Sequence, residues 1–222
     1  MLRAAWTVAG KDLRLLVSGG QGLVQAGLLG LVLIFLFSLS RGAGEATPPQ
    51  AAAVIFWLAT AFALVLVFNA LYALEEETGA RRGLLLAPCP VQSVWLGKAV
   101  SGLAALLLAQ AVFAPATIVF LGQEVGPGWL EAAGTALVVD WGLVVLGSLL
   151  GALSQGAASR ESILTVVLFP LLVPALLAGV KTGSAALGGG DASGWLGLAV
   201  GFDALFTAAA LVLFPFVYGE ES

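Results

Sequence analysis

Histidine is absent from the chain. No His-ligated zinc, no His-bound haem and no histidine general base can come from this chain alone. A single cysteine, Cys89, excludes an internal disulfide and a CxxC site. Charge is scarce too: Asp, Glu, Lys and Arg make up 10% of the residues, against about 25% in a soluble domain. What replaces them is apolar. Hydrophobic residues are 60% of the 222, and mean hydropathy is +1.05. Such a chain cannot cover its own surface with polar groups, so the composition identifies an integral membrane protein. The net charge of −4 says little, because the placement of Lys and Arg matters more than their sum. The length accommodates one membrane domain, residues 1–222, and no sizeable soluble domain.

A spanning helix needs about 20 mostly apolar residues. Six stretches qualify, at about 21–40, 50–72, 94–121, 130–155, 162–180 and 195–218. Their apolarity runs all round without period-2 alternation, which argues for helices and against a membrane barrel. Dense Gly and Ala suit close helix packing. With a cytoplasmic N-terminus, the inside segments hold Arg3, Lys11, Arg14, Arg81, Arg82, Lys98 and Arg160, and the outside segments only Arg41 and Lys181. That is a positive-inside bias, and six spans return the C-terminus to the cytoplasm. Trp129 and Trp195 open spans at the outer interface and Trp95 at the inner one, levels that aromatic residues favour.

Residues 1–18 are expected to form an amphipathic helix on the cytoplasmic surface. Leu2, Trp6, Ala9, Leu13, Leu16 and Val17 share one face, and Arg3, Thr7, Lys11, Arg14 and Ser18 the other. A plain basic leader is the alternative reading. A cleaved signal peptide, with small residues following Ser38, would need an unusually long n-region and would leave five spans. The outside connections are short and rich in Gly and Pro. The loop 73–93 is the longest and most charged.

That loop reads Glu75-Glu76-Glu77-Thr78-Gly79-Ala80-Arg81-Arg82-Gly83, then three leucines, Ala87, Pro88, Cys89 and Pro90. Gly79 and Pro88 punctuate it, so a short helix or turn lies between them. Such a segment can dock on a soluble partner, with charges setting the register and the leucines burying against the partner or the membrane. The alternative is a solvated loop whose arginines only fix topology. Glu76-Glu77-x-x-x-Arg81 also fits the EExxxR string of intramembrane CAAX-type proteases, but those enzymes need histidines. Cys89-Pro90 is the dipeptide that can offer a thiolate to haem iron, and ordinary use of a small residue in a loop accounts for it better. Asp140 and Asp203 lie inside spans four and six at similar depth, with no Lys or Arg at that level; buried acids in lipid are costly. They are functional candidates, and hydrogen bonding to Ser or Thr is the structural alternative. There is no P-loop, no GxSxG elbow, no metal-ligand cluster and no basic stripe for nucleic acid. No catalytic and no metal site is expected, and the chain does not bind ATP by itself.

Taken together, the basic N-terminal helix, the six spans and the acidic-Gly-Leu-Pro loop ending at Gly97-Lys98 resemble the membrane subunit of an ABC-2-type transporter. The pattern is most similar to the haem exporter protein B (CcmB) family of cytochrome c maturation. The residues that carry the resemblance are Lys11-Asp12-Leu13, Glu77 and Gly79 with Leu84–Leu86, Pro88, Pro90 and Lys98. Pro115, Phe169-Pro170-Leu171 with Pro174, and the ending Leu213-Phe214-Pro215-Phe216-Val217 also match. The chain departs from the pattern in two places: Leu16 and Ser18 stand where family members often carry charge, and Arg82 replaces an acidic residue.

The resemblance implies an all-α, ABC-2-type permease of six transmembrane helices plus the interfacial helix, in a bacterial inner membrane. Its ATPase-coupling loop would comprise Glu75, Glu76, Glu77, Gly79, Arg81, Arg82, Pro88, Pro90 and Lys98. Pro115, Pro170, Pro174 and Pro215 would be helix-kinking prolines. The implied partners are a CcmA-like ATPase, a CcmC-like haem-handling membrane protein, a small single-span subunit and a CcmE-like periplasmic haem chaperone, with two copies of the chain in the complex. Haem and ATP would be handled by those partners. Export of another cargo, such as a lipid or drug, and a pure membrane scaffold are the competing functions.

Overall fold

The computed structural model describes residues 1–19, 21–42, 45, 47–126, 128–154, 160–190 and 192–219, without the side chains at positions 21, 77, 78, 82, 160–165 and 193. Among the described residues there are eight helices and no strand. They are α1 (Leu2–Gly19), α2 (Gln21–Leu39), α3 (Pro49–Thr78), α4 (Ala80–Leu86), α5 (Val91–Leu121), α6 (Trp129–Leu153), α7 (Arg160–Gly188) and α8 (Ser193–Gly219). Six of them, α2, α3 and α5 to α8, are long and apolar enough to cross a membrane. The protein is therefore an all-α, multi-pass membrane protein. Within each span the helix satisfies its own backbone polar groups, which is what lipid demands.

Two helices outrun the expected spans. The 30 residues of α3 extend about 45 Å at 1.5 Å per residue, well beyond a hydrocarbon core of about 30 Å. The acidic triplet expected in a loop is thus the last turn of α3. At the other end of the bundle, α7 runs to Gly188, so Lys181 lies in a helix; its Nζ sits 5.9 Å from the centre of the Trp195 ring. The expected end of span four at Gln155, and the side chains of Glu77, Arg82 and Arg160, fall outside the described residues.

The bundle is built around α3 and α6, the most buried spans, while α2 and α8 are the most exposed to the surroundings. Aromatic side chains of α3 enter gaps left by glycines. Phe68 fills the space beside Gly102 of α5 and Gly147 of α6, Tyr72 lies against Gly151 of α6, and Trp57 against Gly179 of α7. A Cβ at any of these glycines would collide with the ring. This is the small-residue packing that lets membrane helices approach without help from water. Pro115, Pro170, Pro174 and Pro215 lie inside α5, α7 and α8.

Helices α1 and α4, the end of α3, the start of α5 and the end of α8 gather at one end of the bundle, called here the terminal face. There α1 packs along α5, and Gly97 makes that approach possible: a Cβ on it would stand 2.7 Å from Val8 Cβ and 2.8 Å from the Ala5 carbonyl oxygen. The buried side of α1 is Ala5, Val8, Ala9, Asp12 and Leu16. This corrects the expected apolar face. Leu2, Trp6 and Val17 remain exposed, Trp6 at 68%. Helix α1 thus has three sides: one on the protein, one apolar and uncovered, and one basic. A two-sided amphipathic pattern hides this, because a buried face of small residues plus one aspartate does not register as apolar.

Candidate functional site

The densest polar feature lies at the terminal face, where α1, α3, α5 and α8 meet under α4. Glu75, one turn from the end of α3, is 1% exposed, and Lys98, two turns into α5, is fully buried. Lys98 Nζ lies 2.9 Å from Glu75 Oε1 and 3.5 Å from Asp12 Oδ2. Lys11 Nζ completes the ring, 3.2 Å from Glu75 Oε1 and 2.8 Å from Asp12 Oδ1. Two cations and two carboxylates therefore balance within one cluster. Burying any one of them alone would cost several kcal/mol, so each is tolerated only in the company of the others.

Two tyrosines extend the cluster. The Tyr218 hydroxyl donates to Glu75 Oε2 at 3.0 Å. Lys98 Nζ sits 4.3 Å from the centre of the Tyr72 ring, whose hydroxyl donates to the Ser148 carbonyl of α6 at 2.7 Å. Half-burial opposes the charge on Lys11, but hydrogen bonds and attraction from Asp12 and then Glu75 outweigh it and hold the ammonium above its ordinary pKa of 10.5. Lys11 is the cluster's opening to the outside: its side chain is 33% exposed, while those of Asp12, Glu75 and Lys98 are 2% exposed or less.

The short helix α4 is tied to the same network. Gly79 caps α3 and immediately precedes α4, with φ 65° and ψ 15°, a left-handed conformation that glycine adopts freely. From α4, the Arg81 guanidinium donates to the Tyr218 carbonyl oxygen at 2.9 Å and lies 5.2 Å from the centre of that ring. A continuous path of polar contacts thus runs from Arg81 of α4 to Tyr218 of α8, then to Glu75, to Lys98 and Lys11, and to Asp12 of α1. Leu84 and Leu85 pack against the core, whereas Leu86 at the end of α4 is 87% exposed. Pro88 and Pro90 are exposed after it, and Glu76 is exposed beside the buried Glu75.

The structure thus divides the residues that the sequence grouped as one loop. Glu75 and Lys98 face inward and hold helices together. Gly79 and Arg81 form the joint to α4. Glu76, Pro88 and Pro90 are on the surface. Asp12 entered the sequence reading only through the Lys11-Asp12-Leu13 motif, without a role, and Tyr72 and Tyr218 did not enter it as candidates. For Asp12 a signal existed: it shares a helical side with Ala5, Val8, Ala9 and Leu16, so an aspartate on a packed side demanded a counter-ion. For the tyrosines there was none.

The two intramembrane acids are not neighbours. Asp140 is fully buried and accepts a hydrogen bond from Gln110 Nε2 of α5 at 2.7 Å. Asp203 points from α8 at Gly142 of α6, where a Cβ would collide with its Oδ1. Asp140 and Gly142 are two residues apart, so the acids lie at similar depth on different sides of α6. One oxygen of each, Asp140 Oδ2 and Asp203 Oδ1, has no hydrogen-bond partner among the described residues. Nearby, Trp141 Nε1 donates to Thr207 Oγ1 at 3.1 Å, joining α6 to α8.

At the opposite face, a cavity of about 260 Å³ lies among α3, α5, α6 and α7, lined by Trp57, Phe56, Ile118, Trp129 and Leu187. It borders a more polar cavity of about 190 Å³ that includes Glu131 and Thr135, the two sharing Ala132, Thr182 and Ala186. Among the described residues no group of three His, Cys, Asp or Glu side chains is placed to hold a metal ion.

Six helices long and apolar enough to cross a membrane, a helix ahead of them packed along α5 and a short helix joined to the bundle by polar contacts define a multi-pass helical membrane protein. The chain belongs to the CcmB protein family, whose model matches residues 3–221. Heme exporter protein B of Paracoccus denitrificans is 27% identical over 206 residues, covering 93% of this chain and 92% of its own length. Heme exporter protein B of Rhodobacter capsulatus is 28% identical over 171 residues, 77% of this chain and 78% of that one.

Proposed function

We propose that this chain is the permease subunit of an ABC-type haem exporter complex serving cytochrome c maturation in a bacterial inner membrane. The terminal face is cytoplasmic in this reading, because seven of the nine Lys and Arg residues lie on its side of the spans. A separate CcmA-like subunit supplies ATP hydrolysis, since this chain has no phosphate-binding loop. The CcmC-like protein, a single-span subunit, the CcmE-like chaperone and a second copy of this chain complete the assembly.

The observation that carries the proposal is the polar path from α4 to α1. The ATPase pushes on α4 through its exposed end. The Arg81–Tyr218–Glu75–Lys98–Asp12 contacts pass that displacement to α8, α3, α5 and α1, so the helices move as connected rigid bodies. Haem-loaded chaperone is released at the other side. The chain's own donors suit a mechanical role. With no histidine, axial haem ligands would have to be Met1, Cys89 or a tyrosine. The hydroxyls of Tyr72 and Tyr218 are already engaged with Ser148 and Glu75. Partner subunits therefore supply the ligands.

Docking and transmission separate experimentally. The chain is tagged and purified in mild detergent, and co-purifying subunits, haem absorbance and release of the chaperone on ATP addition are measured. Leu86→Asp on the exposed end of α4 loses the ATPase subunit. Glu75→Gln keeps the ATPase and its hydrolysis but releases less chaperone per ATP. Wild-type chain that brings down no ATPase overturns the transporter reading. An ATPase without haem proteins moves the cargo from haem to another molecule.

A further inference from the structure

We infer that the outer side of α1 binds the headgroup of an anionic phospholipid, and that Lys11 connects this site to the buried charge cluster. This goes beyond the transport reading and does not depend on the cargo.

The side of α1 turned away from the bundle carries a shallow notch above Gly10, bordered by Trp6, Thr7, Lys11, Arg14 and Leu15. Nothing lies within 4 Å of the place a Gly10 Cβ would take, so the notch is open. Its charged lining is basic: Lys11, 33% exposed, and the exposed Arg14. Arg3 is exposed on the same helix. The nearest carboxylates, Asp12 and Glu75, point inward and are 2% exposed. The field presented outward is therefore positive, while the acids that balance it are out of reach.

Beside the notch runs the uncovered apolar band of Leu2, Trp6 and Val17, each more than 60% exposed. A surface of this composition is unfavourable against water and favourable in the headgroup zone of a bilayer. The junction of an apolar band with a basic notch fits one occupant: an acyl chain against Leu2, Trp6 and Val17, with a phosphate at Lys11 and Arg14. An acidic peptide would satisfy the cations but leave the band wet.

Lys11 gives the site its consequence. A lipid phosphate competes with Asp12 and Glu75 for its ammonium, while Lys98 continues to hold both carboxylates. Bound lipid thereby weakens one of the two cations that fasten α1 to α3.

The test is native mass spectrometry of the delipidated protein in detergent, titrated with phosphatidylglycerol, phosphatidylethanolamine and inorganic phosphate. Phosphatidylglycerol is retained preferentially, and Arg14→Gln weakens its binding about fivefold, the worth of one basic side chain near an anionic surface. Gly10→Leu, whose Cβ meets nothing within 4 Å and whose branch fills the notch, does the same, and Lys181→Gln at the opposite face changes nothing. Equal retention of the two lipids, or Arg14→Gln binding like wild type, overturns the site. Competition by free phosphate as strong as by lipid would make it a soluble-anion site and overturn the lipid assignment. Asp12→Asn, which frees Lys11 from one carboxylate, tightens phosphatidylglycerol binding; unchanged binding overturns the link to the cluster.

Discussion

Replacing Lys98 with methionine is the sharpest perturbation of the charge cluster. Methionine fills much of the lysine stem's space beside Tyr72 and removes only the charge. Glu75 and Asp12 then share a single cation, Lys11, and the cluster carries an uncompensated negative charge at a site 2% exposed or less. Breaking a buried pair by removing one partner costs about 3–5 kcal/mol. The lower end applies, because Lys11 stays within 3.2 Å of Glu75 and 2.8 Å of Asp12. A loss of about 3 kcal/mol is roughly a 150-fold shift in the folded-to-unfolded ratio. Unfolding in mild detergent with increasing dodecyl sulfate, followed by tryptophan fluorescence, measures it. The double variant Glu75→Gln/Lys98→Met restores one cation against one carboxylate. It should lose less than the sum of the two single changes, with a coupling of about 1–3 kcal/mol. A Lys98→Met protein within about 0.5 kcal/mol of wild type, together with strict additivity in the double variant, would refute the reasoning.

Three further outcomes follow from the same geometry. Gly97→Leu forces Val8 and the Ala5 carbonyl away from α5, at a cost of about 1–3 kcal/mol; tryptic cleavage after Lys11 and Arg14 should accelerate while the spans stay protected. Gln110→Leu strips Asp140 of its donor and destabilises by about 1–3 kcal/mol, whereas Asp140→Asn keeps a hydrogen-bonding pair and costs less, both read by thermal unfolding in detergent. The Lys11 pairing is pH-dependent with a definite sign. Its folded pKa lies above the ordinary 10.5, so its contribution is fully present below pH 10.5 and declines as pH rises through the folded value. The stability difference between wild type and Lys11→Gln should therefore be constant from neutral pH to about 10 and shrink above it.

The buried cluster does not have to exist for stability's sake. A well-packed apolar quartet would hold the helices about as well, since desolvation consumes most of what ion pairs return. Charges at this position do something apolar contacts do not: each can exchange partners among a small set of discrete arrangements. That property suits a joint between α4 and the spans, which is why the functional reading rests on it.

Composition and spacing alone determined that this is a helical membrane protein with six apolar runs long enough to span a bilayer, and that a helix-breaking glycine follows the second. These follow from local chemistry: apolar runs of the right length can only be spanning helices, and glycine and proline punctuate wherever they occur. Composition and spacing did not show that α3 carries the acidic triplet in its last turn or that α7 runs on to Gly188. The identity of the family was also legible, because it is carried by short motifs in order along the chain. What each charge does was decided only in three dimensions. Glu75 and Glu76 are adjacent in sequence, yet one is sealed among four helices and the other faces outward, because successive residues on a helix point about 100° apart. Lys98 of α5 meets Glu75 of α3, and it reaches Asp12 only because α1 packs back over Gly97. Tyr218 reached Glu75 across 143 positions of chain. Contacts of that range arise from packing against a particular neighbour, and no pattern within a single helix encodes which neighbour that will be.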